Sequence, residues 1–161
     1  AMGYAQASGI PFGLVFQKNS YIGRTFIKPT QEERQSAVHL KLSVLESVVK
    51  GKRLVLIDDS IVRGTTIANL IHMLKKAGAL EVHVRISSPP FLYPCYYGTD
   101  VPSGDQLIAN SHSCEEICSQ IGADSLGYLK LEDLDEMTYH LPLCRACFNN
   151  QYPTQIPSSE I

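Results

Sequence analysis

The sequence predicts an α/β domain, a parallel sheet flanked by helices, and three successive segments carry that prediction. Leu54-Val55-Leu56-Ile57 is an unbroken apolar run between the cations Lys52 and Arg53 and the acids Asp58 and Asp59, the pattern of a central strand buried on both faces. From Thr66 onward Ile67, Leu70, Ile71, Leu74 and Ala77 recur at helical spacing until Gly78 supplies a stop. Val82-His83-Val84-Arg85-Ile86 then reads as a further strand, closed by Ser87-Ser88-Pro89-Pro90. Strand, helix and strand with a crossover of this length make a parallel pair with the helix packed on the sheet.

The remaining elements follow in chain order. Residues 3–9 read as a helical stub with Gly9 as its stop, and Ile10-Pro11-Phe12-Gly13-Leu14-Val15-Phe16 as a short strand. Residues 17–29 are polar, cationic and glycine-bearing, a long loop with some extended character. Thr30 and Glu33 form a capping-box pair, and Val38, Leu42, Leu45 and Val49 mark one face of a helix over 31–50 that Gly51 ends. Residues 91–112, rich in Tyr, Pro, Gly and Ser, are expected to be a loop packed by its own aromatics. Ser113 caps a helix reaching about Ile121, with Gly122 as its stop, and 126–131 form a small strand. A tail over 141–161 carries Cys144 and Cys147 and ends in Pro- and Ser-rich sequence expected to be disordered. No internal repeat is visible.

Composition narrows the function classes. With 161 residues, 44% of them hydrophobic and 19% charged, the chain has the mixture of a folded domain rather than a disordered one. A net charge of −2 argues against a non-specific nucleic-acid platform or a polybasic membrane binder, so any anion site is local. No stretch approaches the roughly 18 apolar residues of a membrane-spanning helix, and the first residues lack the pattern of a signal peptide. A cytoplasmic protein with no nucleic-acid or membrane partner is therefore expected. The five cysteines, an odd number, argue for free thiols or metal ligation over a closed disulfide framework.

The most informative segment is Val55 to Thr66, in which a buried strand ends in two carboxylates and a short loop leads into a helix. Unpaired N–H groups at a helix start lie at the positive end of its dipole and bind phosphate, and Gly64 lets the backbone come close. Ser60, Thr65 and Thr66 add hydroxyl donors. Asp58 and Asp59 would repel the phosphate itself but suit vicinal sugar hydroxyls a few ångströms away. Phosphate on the loop and ribose on the acids define a 5-phosphoribosyl group.

That run resembles the phosphoribosyl pyrophosphate (PRPP) loop, 54–66 here, of type I phosphoribosyltransferases. Gly9-Ile10-Pro11-Phe12, the stretch Lys18 to Ile27, Ser87-Ser88-Pro89-Pro90, the stretch Ile121 to Leu129, and Cys144-x-x-Cys147-Phe148 extend the likeness to the glutamine phosphoribosylpyrophosphate amidotransferase family. The resemblance implies a type I phosphoribosyltransferase fold truncated at the N-terminus, with a partial domain over 1–140 and a tail over 141–161. It implies a reaction of PRPP with ammonia from glutamine to give 5-phosphoribosylamine, the first committed step of purine synthesis.

By the same resemblance Asp58 and Asp59 hold the ribose hydroxyls and magnesium, and Ser60, Ile61, Val62, Arg63, Gly64, Thr65 and Thr66 hold the 5-phosphate. Lys18, Tyr21 and Arg24, on a flexible loop over 17–29, face the pyrophosphate, and Lys41 adds a further contact. Such cations and Mg²⁺ stabilise a departing pyrophosphate while a closed loop excludes water. Cys95, Cys144 and Cys147 match ligands of a [4Fe-4S] cluster whose fourth cysteine is expected upstream, whereas Cys114 and Cys118 are expected to be structural. The glutaminase domain and pyrophosphate loop of the parent are likewise expected to precede this chain, leaving it inactive alone. Purine nucleotides as inhibitors and a homo-oligomeric parent are further implied. A nucleobase phosphoribosyltransferase, a PRPP-binding regulatory module and a small zinc module on Cys144 and Cys147 are the competing readings.

Overall fold

A computed structural model of the chain describes residues 1–18, 42–98, 101 and 103–156. These fall into two compact units, Ala1–Leu54 with Met73–Glu81, and Val55–His72 with Val82–Ile161.

The first unit opens with helix α1 (Met2–Ser8), which ends at Gly9 in the left-handed region as its position implies. Strand β1 (Phe16–Lys18) pairs antiparallel with β2 (Leu42–Val44), Phe16 opposite Val44 and Lys18 opposite Leu42. The expected strand at 10–16 is therefore displaced: only its last residue pairs. Pro11 and Gly13 interrupt the run, and Phe12 and Leu14 stand exposed without a ladder to join. The expected helix over 31–50 is also corrected where it is described. Residues 42–44 are extended, and only the single turn α2 (Glu46–Val49) is helical. Half-buried Leu42 and Val44 flank exposed Ser43, so these three positions fit the period of a strand as well as that of a helix. Residues 31–41 of that helix, and 19–29 of the expected loop, lie outside the described residues; Gln17 and Lys18 belong to β1. Val49 and Leu74 are fully buried here.

The main sheet has the order β3 (Arg53–Asp58), β4 (Glu81–Ile86), β5 (Ser125–Tyr128) and is parallel, with Ile86 opposite Tyr128. Between β3 and β4 runs the 12-residue helix α3 (Thr65–Lys76). The strand–helix–strand prediction is thus met. One detail differs: Leu54 to Ile57 are half-buried, because among the described residues β3 pairs on one side alone.

In the second unit β4 buries Val82, Val84 and Ile86 on one face, and Ile67 and Ile71 of α3 are buried as well. On its other face His83 and Arg85 both meet the hydroxyl of Ser125. After β4 come a 3₁₀ turn (Gly104–Gln106), α4 (Ile108–Ser111) and α5 (Cys114–Ile121). The Ser113 hydroxyl accepts the Glu116 N–H while the Glu116 carboxylate accepts the Ser113 N–H, the reciprocal cap expected from the sequence. Helix α6 (Asp133–Met137) and the turn α7 (Ala146–Asn149) complete the chain, and residues 157–161 lie outside the described residues.

The region 91–112 corrects a third expectation. Its aromatics pack on the tail rather than on each other: Phe91 stacks on Phe148 at 5.1 Å, and Tyr96 and Tyr97 lean on Tyr152. The Tyr152 hydroxyl donates to the Pro94 carbonyl at 2.8 Å. The 3₁₀ turn and α4 add regular structure that the high Pro and Gly content concealed.

Candidate functional site

The carboxyl end of β3, the loop after it and the first turn of α3 line a cleft of about 410 Å³ made by the continuous run 58–67. The end of β3 is pinned to the end of β4, since the Asp58 carbonyl accepts both the Ser87 N–H at 3.0 Å and the Ser87 hydroxyl at 3.2 Å. Asp58 is half-buried and Asp59 exposed. Burial pushes the Asp58 carboxyl above its ordinary pKa; the Asp59 N–H bonded to it opposes this, and the Asp59 charge reinforces it. The Ser60 hydroxyl donates to Asp59 Oδ1 at 3.2 Å, fixing the second carboxylate.

Beyond the acids Ile61 is buried and anchors the loop. Gly64 sits at φ +81°, which strains any other residue, and a Cβ there would lie 3.0 Å from Ile108 Cδ1, which would have to move aside. The Gly64 carbonyl accepts the Ala68 N–H at 3.0 Å, which makes it the first acceptor of α3 and leaves the preceding N–H groups as helix-start donors. Exposed Thr65 and Thr66 stand in that first turn. The cleft is therefore lined both by two carboxylates and by donors at the positive end of a helix dipole. This suits a ligand that carries both a phosphate and vicinal hydroxyls.

No family model matches the chain. It is 51% identical to the amidophosphoribosyltransferase of Bacillus subtilis (strain 168), over 97% of this chain and 34% of that relative. It is 50% identical to the amidophosphoribosyltransferase of Methanocaldococcus jannaschii, over 100% of this chain and 34% of that relative. The solved glutamine PRPP amidotransferase of B. subtilis, complexed with ADP and GMP, superposes with a TM-score of 0.86 at 50% identity, covering 100% of this chain and 37% of that one. The chain is similar to the amidophosphoribosyltransferases along its whole length. It spans about a third of the length of the curated relatives it matches.

Within that amidophosphoribosyltransferase-like fold the residues expected at PRPP divide sharply. Asp58, Asp59 and Ser60 to Thr66 all line the cleft, joined by Ile67. Tyr21, Arg24 and Lys41 lie outside the described residues, and Lys18 closes β1. Three contacts to the loop were not foreseen: Ser87 on Asp58, the Ile108 N–H on the Val62 carbonyl at 2.9 Å, and Gln106 Oε1 accepting from Arg63 Nη2 at 2.5 Å. Ser87 belongs to a noticed motif, but Gln106 lies 43 residues from its partner and carries no local signal.

The thiols form a different kind of place. Cys95 and Cys147 pack against the buried cluster Phe91, Val101 and Leu107, while Cys144 is exposed. Burial first, then the neighbouring Cys95 and Cys144, push the Cys147 thiol up to about 11. Thiols from two separated segments thus come near one another, Cys95 and Cys147 on the buried cluster and Cys144 close enough to bias Cys147. As they stand they do not fit a cluster: among the described residues no three Cys, His, Asp or Glu side chains are arranged to hold a metal ion. Cys118 donates to the Ala123 carbonyl at 3.4 Å, and burial raises the Cys114 pKa, both consistent with structural thiols on α5. Among the described residues no helix is long and apolar enough to cross a membrane.

Proposed function

We propose that this chain supplies the PRPP-binding part of an amidophosphoribosyltransferase, the enzyme that converts PRPP and glutamine-derived ammonia to 5-phosphoribosylamine and pyrophosphate. The observation that carries this is the cleft lined by the continuous run 58–67, which brings two acids and the helix-start donors of α3 to one place. The 5-phosphate accepts hydrogen bonds from the loop N–H groups and the hydroxyls of Thr65 and Thr66. Asp58 and Asp59 accept from the ribose 2- and 3-hydroxyls. They also stabilise the positive charge that grows on the sugar as the C1–O bond breaks. Ammonia forms the new C1–N bond and loses one proton, and pyrophosphate leaves with the electron pair. Lys18, Tyr21, Arg24 and Lys41 are assigned to the pyrophosphate.

Two carboxylates plus substrate oxygens are what Mg²⁺ takes, and when bound the ion neutralises charge on the pyrophosphate. A [4Fe-4S] cluster on Cys95, Cys144 and Cys147 is a separate proposal, supported by the shared patch and requiring these thiols to draw together onto iron with a fourth donor. Iron and sulfide analysis after anaerobic reconstitution tests it. Purine nucleotides as inhibitors, a glutaminase domain and further copies of the chain as partners, and a cytoplasmic location complete the proposal. Support for the nucleotides comes from the ADP and GMP held by the solved B. subtilis relative.

Calorimetry with PRPP and Mg²⁺ tests the site. Binding is expected for the wild type. The double variant Asp58→Asn, Asp59→Asn loses two charge-assisted hydrogen bonds, about 3 kcal/mol together, or roughly 100-fold in affinity. A wild-type chain without affinity for PRPP overturns the proposal.

A further inference from the structure

The phosphate loop is held from outside. Leu107, 1% exposed, fixes the segment Gly104–Ser111 in the cluster with Phe91 and Val101, and the Val62 side chain packs on the same cluster. Within the segment Asn110 Nδ2 donates to the Gly104 carbonyl at 2.9 Å, closing it on itself. From that anchored position it makes three contacts to consecutive loop residues. The Ile108 N–H donates to the Val62 carbonyl at 2.9 Å, Gln106 Oε1 accepts from the Arg63 guanidinium, and Ile108 Cδ1 closes over Gly64.

We propose that this segment is a brace that presets the loop for phosphate, with the Ile108 N–H and the Gln106 side chain as its positioning groups. The proposal rests on the phosphoribosyl reading of the cleft. Its physical core is the Val62–Arg63 peptide. In a trans peptide the carbonyl and the following N–H point in opposite directions. Turning the Val62 carbonyl toward α4 therefore turns the Arg63 N–H away from α4, so the other side of the loop presents a donor and not an acceptor. A loop free to flip this peptide would show an anion a carbonyl oxygen. Holding the donor in place before the ligand arrives removes an ordering cost from binding. Gln106 restrains the same peptide from the Arg63 side chain.

Proline separates the hydrogen bond from the side chain. Ile108 is the first residue of α4, where proline is tolerated, and Leu107 before it is extended at φ −84°, ψ 109°, as a residue preceding proline must be. Ile108→Pro deletes the N–H, whereas Ile108→Ala trims the side chain and keeps it. Calorimetric titration with ribose 5-phosphate, and with PRPP and Mg²⁺, is expected to show Ile108→Pro binding about 10-fold more weakly than Ile108→Ala. Equal affinities in the two variants overturn the brace.

The exposed Gln106 gives a second test that leaves the core untouched. Gln106→Ala is expected to weaken ribose 5-phosphate binding about 3-fold, and Gln106→Glu, a charged acceptor for the same guanidinium, to restore it. A Gln106→Glu chain as weak as Gln106→Ala overturns the positioning role. A wild-type chain that binds neither ligand removes the phosphoribosyl reading itself. A wild-type chain that binds both while Ile108→Pro equals Ile108→Ala removes the brace alone.

Discussion

The phosphate loop and the thiol patch lie in the same compact unit and share a border, since Val62 of the one and Cys95 and Cys147 of the other pack on the same Phe91, Val101 and Leu107. They are built in opposite ways. The loop is one continuous stretch whose groups are positioned by the turn from strand to helix, open to solvent and complete within ten positions, 58–67. The patch is gathered from segments about fifty positions apart and is tied together by backbone, with the Cys147 carbonyl accepting the N–H groups of Leu92 and Tyr93 at 3.0 Å each. In the loop the local field suits charge, since helix-start donors favour an anion. In the patch burial opposes charge and holds the Cys147 thiol protonated. A site made by one turn works as soon as the turn folds; a site made by tertiary packing depends on every segment arriving.

The largest effect expected from breaking this contrast is at Gly64. An alanine there is strained twice, by the positive φ and by a Cβ 3.0 Å from Ile108 Cδ1. Gly64→Ala is expected to destabilise the chain by about 1–3 kcal/mol and to weaken PRPP binding at least roughly 10-fold. Scanning calorimetry and titration check both numbers. Unchanged binding in a destabilised chain would mean that the loop does not need this backbone geometry for its ligand.

Next in size is the reactivity of the patch. Alkylation followed by mass spectrometry at pH 8 is expected to mark exposed Cys144 before Cys147. The Cys147 rate should rise about tenfold per pH unit until the pH nears 11. A Cys147 that reacts as fast as Cys144 at pH 8 would place it in an electropositive rather than an apolar setting, and the comparison between patch and loop would lose its electrostatic half.

How much of each region was legible in the sequence follows from the same contrast. The loop could be read because Asp58 through Thr66 are neighbours in the chain and each carries its chemistry in its own side chain or in the local turn. Helices α3 and α5 could be read because Gly78, Ser113 and Gly122 punctuate them locally. The brace could not: Gln106 and Ile108 act through contacts made 43 and 46 positions away, and neither residue type announces a phosphate site. The stretch 42–44 fits a helical period as well as a strand's because Leu42 belongs to the apolar series Val38, Leu42, Leu45 and Val49, and its antiparallel partner Phe16–Lys18 lies far away in the chain. The aromatics of 91–98 read as partners of each other because their actual partners, Phe148 and Tyr152, come 55 to 57 residues later.

The smallest expected effect tests the electrostatics of the loop directly. Burial and the Asp59 charge raise the Asp58 pKa in the folded chain above its ordinary 3.8, so the ionised carboxylate is disfavoured by folding. The associated stability is present below 3.8 and lost as the pH rises through the raised value. At pH 7 the wild type therefore carries the full penalty. Asp58→Asn keeps an oxygen to accept the Asp59 N–H and removes the charge. It is expected to raise Tm at pH 7 by about 1–3 °C, a gain that shrinks on acidification and vanishes below 3.8. Adding PRPP and Mg²⁺ should reverse the order, since the wild type binds the ligand more tightly and gains more Tm from it. A variant less stable than wild type at pH 7 would show Asp58 to be part of the fold's own support. A more stable one that ignores PRPP would show a carboxylate kept against folding at the place where a sugar hydroxyl is expected to meet it.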